Sequence, residues 1–430
     1  MQSRDMKALL VVGVFCAIVL VLWTLLHRHW TTTPSPTNTS VHSSDCDALA
    51  ASPQDPNRTA AGVALEKIDP ARALDACRQA ITRSPNDPRP HFQLARIYEK
   101  NTNFEQAVTE YRKAADAGYS AAQNHLGDLY FKGRDVPQDD AQAVAWYRKA
   151  AEQGNAYAQY NLGAMYQLGR GVEKDPAQAD AWYRKAAAWL RKDAEKGNAE
   201  AQNALGMMYG GGQGVGKDPA QAMAWTRKAA DQGDASGQYN LGVMYQQGQG
   251  VERDDAQAMA WYRKAAEQGF TPAQNALGSI YAHGSGVAQD YTQAMAWYRK
   301  AAEQDDAYAQ YSLGLMYSHG RGVPMDYVQA AAWYRKAAQR GESQAQVNLG
   351  TLYLLGHGVG KDPALAASWY RKAAVQGDAY AQSSLGSMYD KGRGVQRDVP
   401  QAILWYRKAA EQGDAYAKER LRALEDGGRQ

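Results

Sequence analysis

A Leu-Gly dipeptide returns in register eight times along this chain, at Leu126-Gly127, Leu162-Gly163, Leu205-Gly206, Leu241-Gly242, Leu277-Gly278, Leu313-Gly314, Leu349-Gly350 and Leu385-Gly386, in steps of 36 residues with a single step of 43. Tryptophan keeps the same beat at Trp146, Trp182, Trp225, Trp261, Trp297, Trp333, Trp369 and Trp405. A fixed period in this range implies stacked supersecondary units rather than one globular core. The composition follows from that reuse, with 40 Gly and 27 Tyr against 5 Phe in 430 residues.

The unit from Asn155 to Ala187 displays the physics. On a helix, Ala158, Met165 and Tyr166 fall within about 60° of Leu162 and form one buried stripe. Gly169-Arg170-Gly171-Val172 breaks that helix. Asp175 is suited to cap the next one, and Pro176 to its first turn, where no amide donor is needed. The second helix then buries Ala179, Trp182, Tyr183 and Ala186 and turns Arg184 and Lys185 outward. The capping Asp recurs at Asp139, Asp218, Asp254, Asp290, Asp326, Asp362 and Asp398. A two-helix unit of this size cannot bury its apolar face alone and must lean on its neighbours.

Departures from the pattern carry information. The long step comes from seven residues, Ala188 to Ala194, spliced near the end of a second helix. Seven residues are about two turns, so the helix lengthens with only about 20° of facial drift, and Trp189 projects from the side of Trp182. Asp135 and Asp305 replace glycines, which calls for the left-handed conformation that Asp tolerates. Residues 89–119 repeat the unit with a shorter loop, and Arg422 stands where the glycine belongs in a final helix beginning at Ala415. The segment from Asp45 to Asp87 reads as a helical N-terminal cap.

The recurring pattern, with Ala-x-Ala-Gln-x-x-Leu-Gly in the first helix and Trp-Tyr-Arg-Lys-Ala-Ala in the second, resembles the Sel1-like repeat, and residues 89–119 resemble its relative, the tetratricopeptide repeat. The resemblance implies an all-α, right-handed α/α superhelical solenoid, and a role as an adaptor or scaffold for protein complexes. Some members are cysteine-rich and penicillin-binding, so an envelope β-lactamase-like protein is the alternative. That group carries a cysteine pair in nearly every repeat, whereas this chain has no cysteine after Cys77, and no Ser here has a Lys three residues later.

Ahead of the repeats, Ala8 to Leu26 is 19 residues without a charge, long enough at about 1.5 Å per residue to span a bilayer. The expectation is an uncleaved transmembrane anchor rather than a signal peptide, since no Ala-x-Ala site follows it. The flanking charges place the N-terminus in the cytoplasm and the solenoid in the periplasm or an equivalent extracytoplasmic space. The expected organisation is a tail and anchor at 1–30, a Thr/Ser/Pro-rich linker at 31–44, a helical cap at 45–88, a tetratricopeptide-like repeat at 89–119, eight Sel1-like repeats at 120–414 and a capping helix and tail at 415–430. In an oxidising space Cys46 and Cys77 would form a disulfide; otherwise they are two buried thiols.

Candidate chemistry is sparse. Net charge is +3, from 48 basic and 45 acidic residues, which gives no electrostatic case for nucleic acid. Gly211 to Lys217 satisfies G-x-x-x-x-G-K, but Asp218 follows in place of Ser/Thr and no strand precedes it. His283 and His319 occupy equivalent positions yet lack a third metal ligand, and Glu267, Glu303 and Glu411 form no acid–base pair. No cofactor, metal or catalytic group is expected. Strictly recurring Trp and Tyr read as core. Binding candidates are first-helix residues that vary between copies and point outward by the 100° rule: Tyr157, Tyr160, Asn203, Tyr239, Asn275, Tyr308 and Tyr311. With first helices lining a concave face, they would hold a protein or peptide partner, Tyr giving large contact area at low entropic cost. The reading is a membrane-anchored, non-catalytic scaffold.

Overall fold

The computed structural model describes residues 45–50, 68–101, 103–133 and 136–427. Every regular element among them is a helix. The chain divides into two compact units, Met1–Gly237 with Gln249–Val251 and Gln238–Gly248 with Glu252–Gln430. In the first, the short helix Asp45–Ala50 and the helix Pro70–Arg83 precede the hairpins 88–116, 120–152, 156–195 and 199–231. In the second, Asp255–Glu267 is followed by the hairpins 271–303, 307–339, 343–375 and 379–411 and by the final helix Ala415–Gly427. The helix Ala235–Gln247 contains the boundary.

Local chemistry places the helix ends. Asp175, Asp218, Asp290 and Asp326 each accept two backbone N–H groups at the start of a second helix, satisfying donors that the helix itself leaves orphaned. First helices end on a glycine with φ near +65°, such as Gly169, whose N–H bonds the Met165 carbonyl. Asp305 adopts the left-handed conformation, at φ 66°; Asp135 lies outside the described residues.

Within a hairpin the two helices meet at the Leu-Gly dipeptide. Leu162, Leu205, Leu241, Leu277, Leu313, Leu349 and Leu385 are wholly buried. Beside each, the glycine lets a second-helix ring close in: a Cβ on Gly314 would stand 2.5 Å from the Tyr334 ring, and one on Gly278 2.6 Å from that of Tyr298. The tryptophans pack into the core of the preceding joint, Trp369 with Tyr334 and Leu349 and Trp405 with Tyr370 and Leu385. Trp261, Trp297, Trp369 and Trp405 are buried, and the Lys three residues on lies over each ring, as Lys300 does over Trp297 at 4.0 Å.

At the N-terminal end, Cys46 and Cys77 are joined as a disulfide with Cα atoms 4.6 Å apart. The helix Asp45–Ala50 is held further by polar bonds into the first hairpin: Arg96 donates to the Ala50 carbonyl at 2.7 Å, and Gln93 donates to Asp47.

One expectation is corrected. The membrane anchor rested on residues 8–26, which lie outside the described residues, and among the described residues no helix is long and apolar enough to cross a membrane. The 20-residue helix Pro176–Glu195 has the length but carries Arg184, Lys185, Arg191 and Lys192. The single-pass membrane placement, the extracytoplasmic solenoid and the membrane as a partner are therefore set aside. The splice lengthens its helix as expected, into the 20 residues Pro176–Glu195. The loop after each first helix rests on the backbone 31 residues earlier, Gly171 on Asp140 and Gly250 on Pro219. Gly214 keeps that spacing and rests on Tyr183. The 199–231 hairpin is thus displaced along the lengthened helix by two turns, about 10 Å at 1.5 Å per residue.

Gly314→Ala should destabilise by about 1–3 kcal/mol through overpacking against Tyr334. Gly350→Ala should cost less, because its Cβ would stand 3.2 Å from the Tyr370 ring. Trp297→Ala should cost about 3–5 kcal/mol. Thermal melts of the three variants give the ranking.

Candidate functional site

The first-helix candidates divide sharply by environment. Tyr157, Tyr160 and Asn203 are buried, Tyr239, Asn275 and Tyr311 are partly buried, and Tyr308 is 46% exposed. The outward assignment of Tyr157, Tyr160 and Asn203 is therefore corrected. The splice and the hairpin it displaces explain the two tyrosines. Tyr157, at 2% exposure, stands 6.4 Å from Trp189 in an edge-on contact, and Trp189 belongs to the splice. Tyr160 packs 5.2 Å from Tyr183, and its hydroxyl bonds Gln213 in the loop that has moved over it.

Asn275 donates to the Asp306 carboxylate at 2.9 Å, tying one hairpin to the next first-helix cap, and Ser383 does the same to Asp414 at 3.2 Å. Tyr239 and Tyr311 lie against the second-helix tyrosines Tyr262 and Tyr334, at 5.4 and 6.0 Å. Much of what varies between copies is thus spent on joining copies.

Sequence reasoning missed the polar joints. In the first helix a buried glutamine donates to a carbonyl in the last turn of the preceding second helix, Gln159 to Ala151 at 3.1 Å and Gln274 to Ala266 at 3.1 Å. In several copies the same glutamine accepts from a second one 30 residues later, as Gln274 does from Gln304 and Gln382 from Gln412; after Gln159 that place is taken by Trp189 of the splice. Arg340 replaces that donor in one copy and pairs instead with the left-handed Asp305. A second joint runs from second-helix arginines to a tyrosine hydroxyl 18 residues on, Arg148 to Tyr166 at 2.9 Å and Arg335 to Tyr353 at 2.7 Å, while Arg407 meets Glu425 at that interval. The constant Gln and Arg of the repeat were the available signal, but their partners lie in the next unit and no spacing within one unit reveals them.

What remains open to solvent is a set of tyrosines in the second unit. Tyr308, Tyr380 and Tyr416 occupy the position of Tyr157 but have no splice above them, and each is exposed. Each stands edge-on to a buried second-helix tyrosine, at 6.2 Å from Tyr298, 6.5 Å from Tyr370 and 6.1 Å from Tyr406. Gln344 fills the same position in the intervening copy and donates to Asp378 at 2.7 Å. Burial, followed by the nearby Asp306, raises the Glu342 carboxyl above its ordinary value.

The remaining candidates have local roles. His283 and His319 each bond the carbonyl four residues earlier in their own helix, at 2.9 Å. Asp218 caps the helix that follows the G-x-x-x-x-G-K segment. Glu267, Glu303 and Glu411 are exposed at helix ends. Among the described residues no group of three or more His, Cys, Asp or Glu could hold a metal ion.

Comparison with known proteins adds the context. The Sel1 repeat model matches residues 120–155, 156–188, 199–234, 235–270, 271–306, 307–342, 343–378 and 379–414, and a tetratricopeptide repeat model matches 64–126. A Sel1 repeat protein from Oxalobacter formigenes of known structure is 37% identical over 74% of this chain and 89% of its own, with a TM-score of 0.50. A protective antigen present in uropathogenic Escherichia coli strains is 35% identical over 84% of this chain and 85% of its own, with a TM-score of 0.38. No curated protein matches the chain.

Burial pushes the phenols of Tyr239, Tyr334 and Tyr370 up to about 12 from an ordinary value of 10. Between those values the folded chain keeps protons that an unfolded chain releases. Stability should therefore hold up to about pH 10 and fall as pH rises toward 12. Parallel titrations should find phenolate absorbance and loss of helical circular dichroism rising together; phenolate formation well before helix loss would contradict the burial argument.

Proposed function

Because the chain belongs to the Sel1 repeat family, we propose that it is a non-catalytic scaffold that holds protein or peptide partners on the first-helix face of its second unit. The observation that carries this reading is the set Tyr308, Tyr380 and Tyr416. Each ring is exposed, yet each is braced edge-on by a buried tyrosine of the preceding helix. A braced aromatic offers wide contact area with little rotamer freedom left to lose on binding. Tyr311 and Asn275 flank the set as partly buried neighbours.

The recurring Asp, Gln and Arg residues of the array mostly have structural partners, which supports a binding role over a chemical one. The second-helix aspartates cap helices, the glutamines and arginines join hairpins, and the paired cysteines fasten the N-terminal helix. Replacing a solvent-facing tyrosine should therefore weaken association while leaving folding nearly intact, the reverse of replacing Tyr334, which is buried.

A photoreactive phenylalanine analogue at Tyr308, Tyr380 or Tyr416 should give discrete adducts in cells that make the protein. The same analogue at exposed Glu267 or Gln339 should not. Tyr308→Ala/Tyr380→Ala/Tyr416→Ala should abolish the partner's co-purification with a melting temperature shifted by only a few degrees. Adducts of equal yield at all five positions, or undiminished co-purification, would refute the assignment.

A further inference from the structure

The eight copies serve as controls for one another, and two adjacent copies depart from the rest on one edge. The position of Leu365 is Gln in the other seven, at Gln142, Gln178, Gln221, Gln257, Gln293, Gln329 and Gln401. Met325 stands where the other copies carry only Gln, Lys or Arg. Val328 replaces the usual Ala. All three departures face solvent, with Met325 and Val328 61% and 63% exposed, and Leu355 is exposed beside them.

These residues share the edge where first helices run into second helices. The loop after Leu355 lies on the start of the preceding second helix: His357 stacks on Tyr327 at 5.1 Å, and a Cβ on Gly358 would stand 2.6 Å from the Val328 nitrogen. Four residues further, Asp362 caps the helix that presents Leu365. No folding role accounts for an apolar side chain at a site where the same architecture is built seven times with glutamine.

The charge beside the patch has one sign left over. In the first unit Arg170 is held by Asp140 through bonds of 2.8 and 2.7 Å. At its counterparts Arg321 and Arg393 that aspartate is replaced by Tyr291 and Pro363, and Arg321 lies over the Tyr291 ring at 5.8 Å with no carboxylate opposite it. Among the described residues neither they nor Lys361 form an ion pair, whereas the neighbouring carboxylates of Asp326 and Asp362 accept the first amides of their helices.

We infer that this edge of the second unit is a docking surface for an acidic amphipathic segment of a partner protein. The apolar stripe of that segment covers Met325, Val328, Leu355 and Leu365, and its carboxylates meet Arg321, Lys361 and Arg393. An exposed apolar patch with a rim of one charge selects a partner of the complementary pattern. The surface lies on the loop edge, apart from the first-helix tyrosines, and rests on the scaffold reading only in that both take protein partners.

The test uses the full chain and two fluorescent helical peptides. Both carry Leu at i, i+3, i+4 and i+7; one has Glu at the remaining positions and the other Lys. Anisotropy should report saturable binding of the acidic peptide, weakened by about ten-fold or more, roughly 1.4 kcal/mol, in Met325→Lys/Val328→Ala/Leu365→Gln. Each replacement is a residue the array already carries at that position, so the fold should be kept, and unchanged circular dichroism verifies this. Arg321→Ala/Arg393→Ala should weaken binding and flatten its salt dependence. The Tyr308, Tyr380 and Tyr416 variant should bind the peptide normally, which separates failure of this surface from failure of the first-helix face. Equal binding of the basic peptide, indifference to the triple variant, or a dimer in light scattering that the triple variant dissolves would overturn the proposal, the last reassigning the edge to contact between copies of this chain.

Discussion

The close approach of two helices at the Leu-Gly dipeptide sets every other dimension of the repeat. With no Cβ at Gly278 or Gly314, a second-helix tyrosine ring lies almost against the first-helix backbone, and the leucine beside it is wholly buried. Such an approach fixes the spacing within a hairpin to a narrow range, because a close-packed interior yields little to strain. Once that spacing is set, the glutamine and arginine joints fall within bonding reach of the next hairpin at constant intervals of 30 and 18 residues. The apolar contact makes the brick and the polar contacts lay the course.

Those two layers differed in legibility. The brick was written in one period: Leu, Gly, Trp, Tyr and the capping Asp recur, and elementary helix geometry turns them into a buried stripe and a pair of ends. The course was not, because Gln159 and Ala151, or Arg148 and Tyr166, belong to different bricks. The same limit misplaced the binding candidates. A helical wheel sees one helix, so it put Tyr157 and Tyr160 in solvent, where Trp189 of the splice in fact covers the first and Gln213 of the next hairpin meets the second. Tyr308 was read correctly as exposed because nothing extra covers it. The apolar run at 8–26 was read on composition alone, and the described residues contain no spanning helix to set beside it.

Repetition also changes what a surface residue can mean. In an ordinary domain an exposed leucine needs no explanation, since much of any protein surface is apolar. Here Leu365 sits at a site filled seven times by glutamine under the same backbone constraints, so its side chain is a choice the fold did not require. The tyrosines differ in kind. They are braced from below, and part of their contact area belongs to the stack itself.

The splice at 188–194 has a meaning beyond one longer helix. It adds whole turns, so Arg191 still finds the Tyr209 hydroxyl at 2.8 Å, but the glutamine joint is given up, because Trp189 stands 30 residues after Gln159. Its visible result is that one tile of the surface goes blank: a tyrosine whose counterparts Tyr308 and Tyr380 face solvent is roofed over by Trp189. Repeat arrays thereby possess an eraser as well as a pen. A position can be opened by exchanging a side chain, or covered by a two-turn splice, at the expense of one joint in the stack.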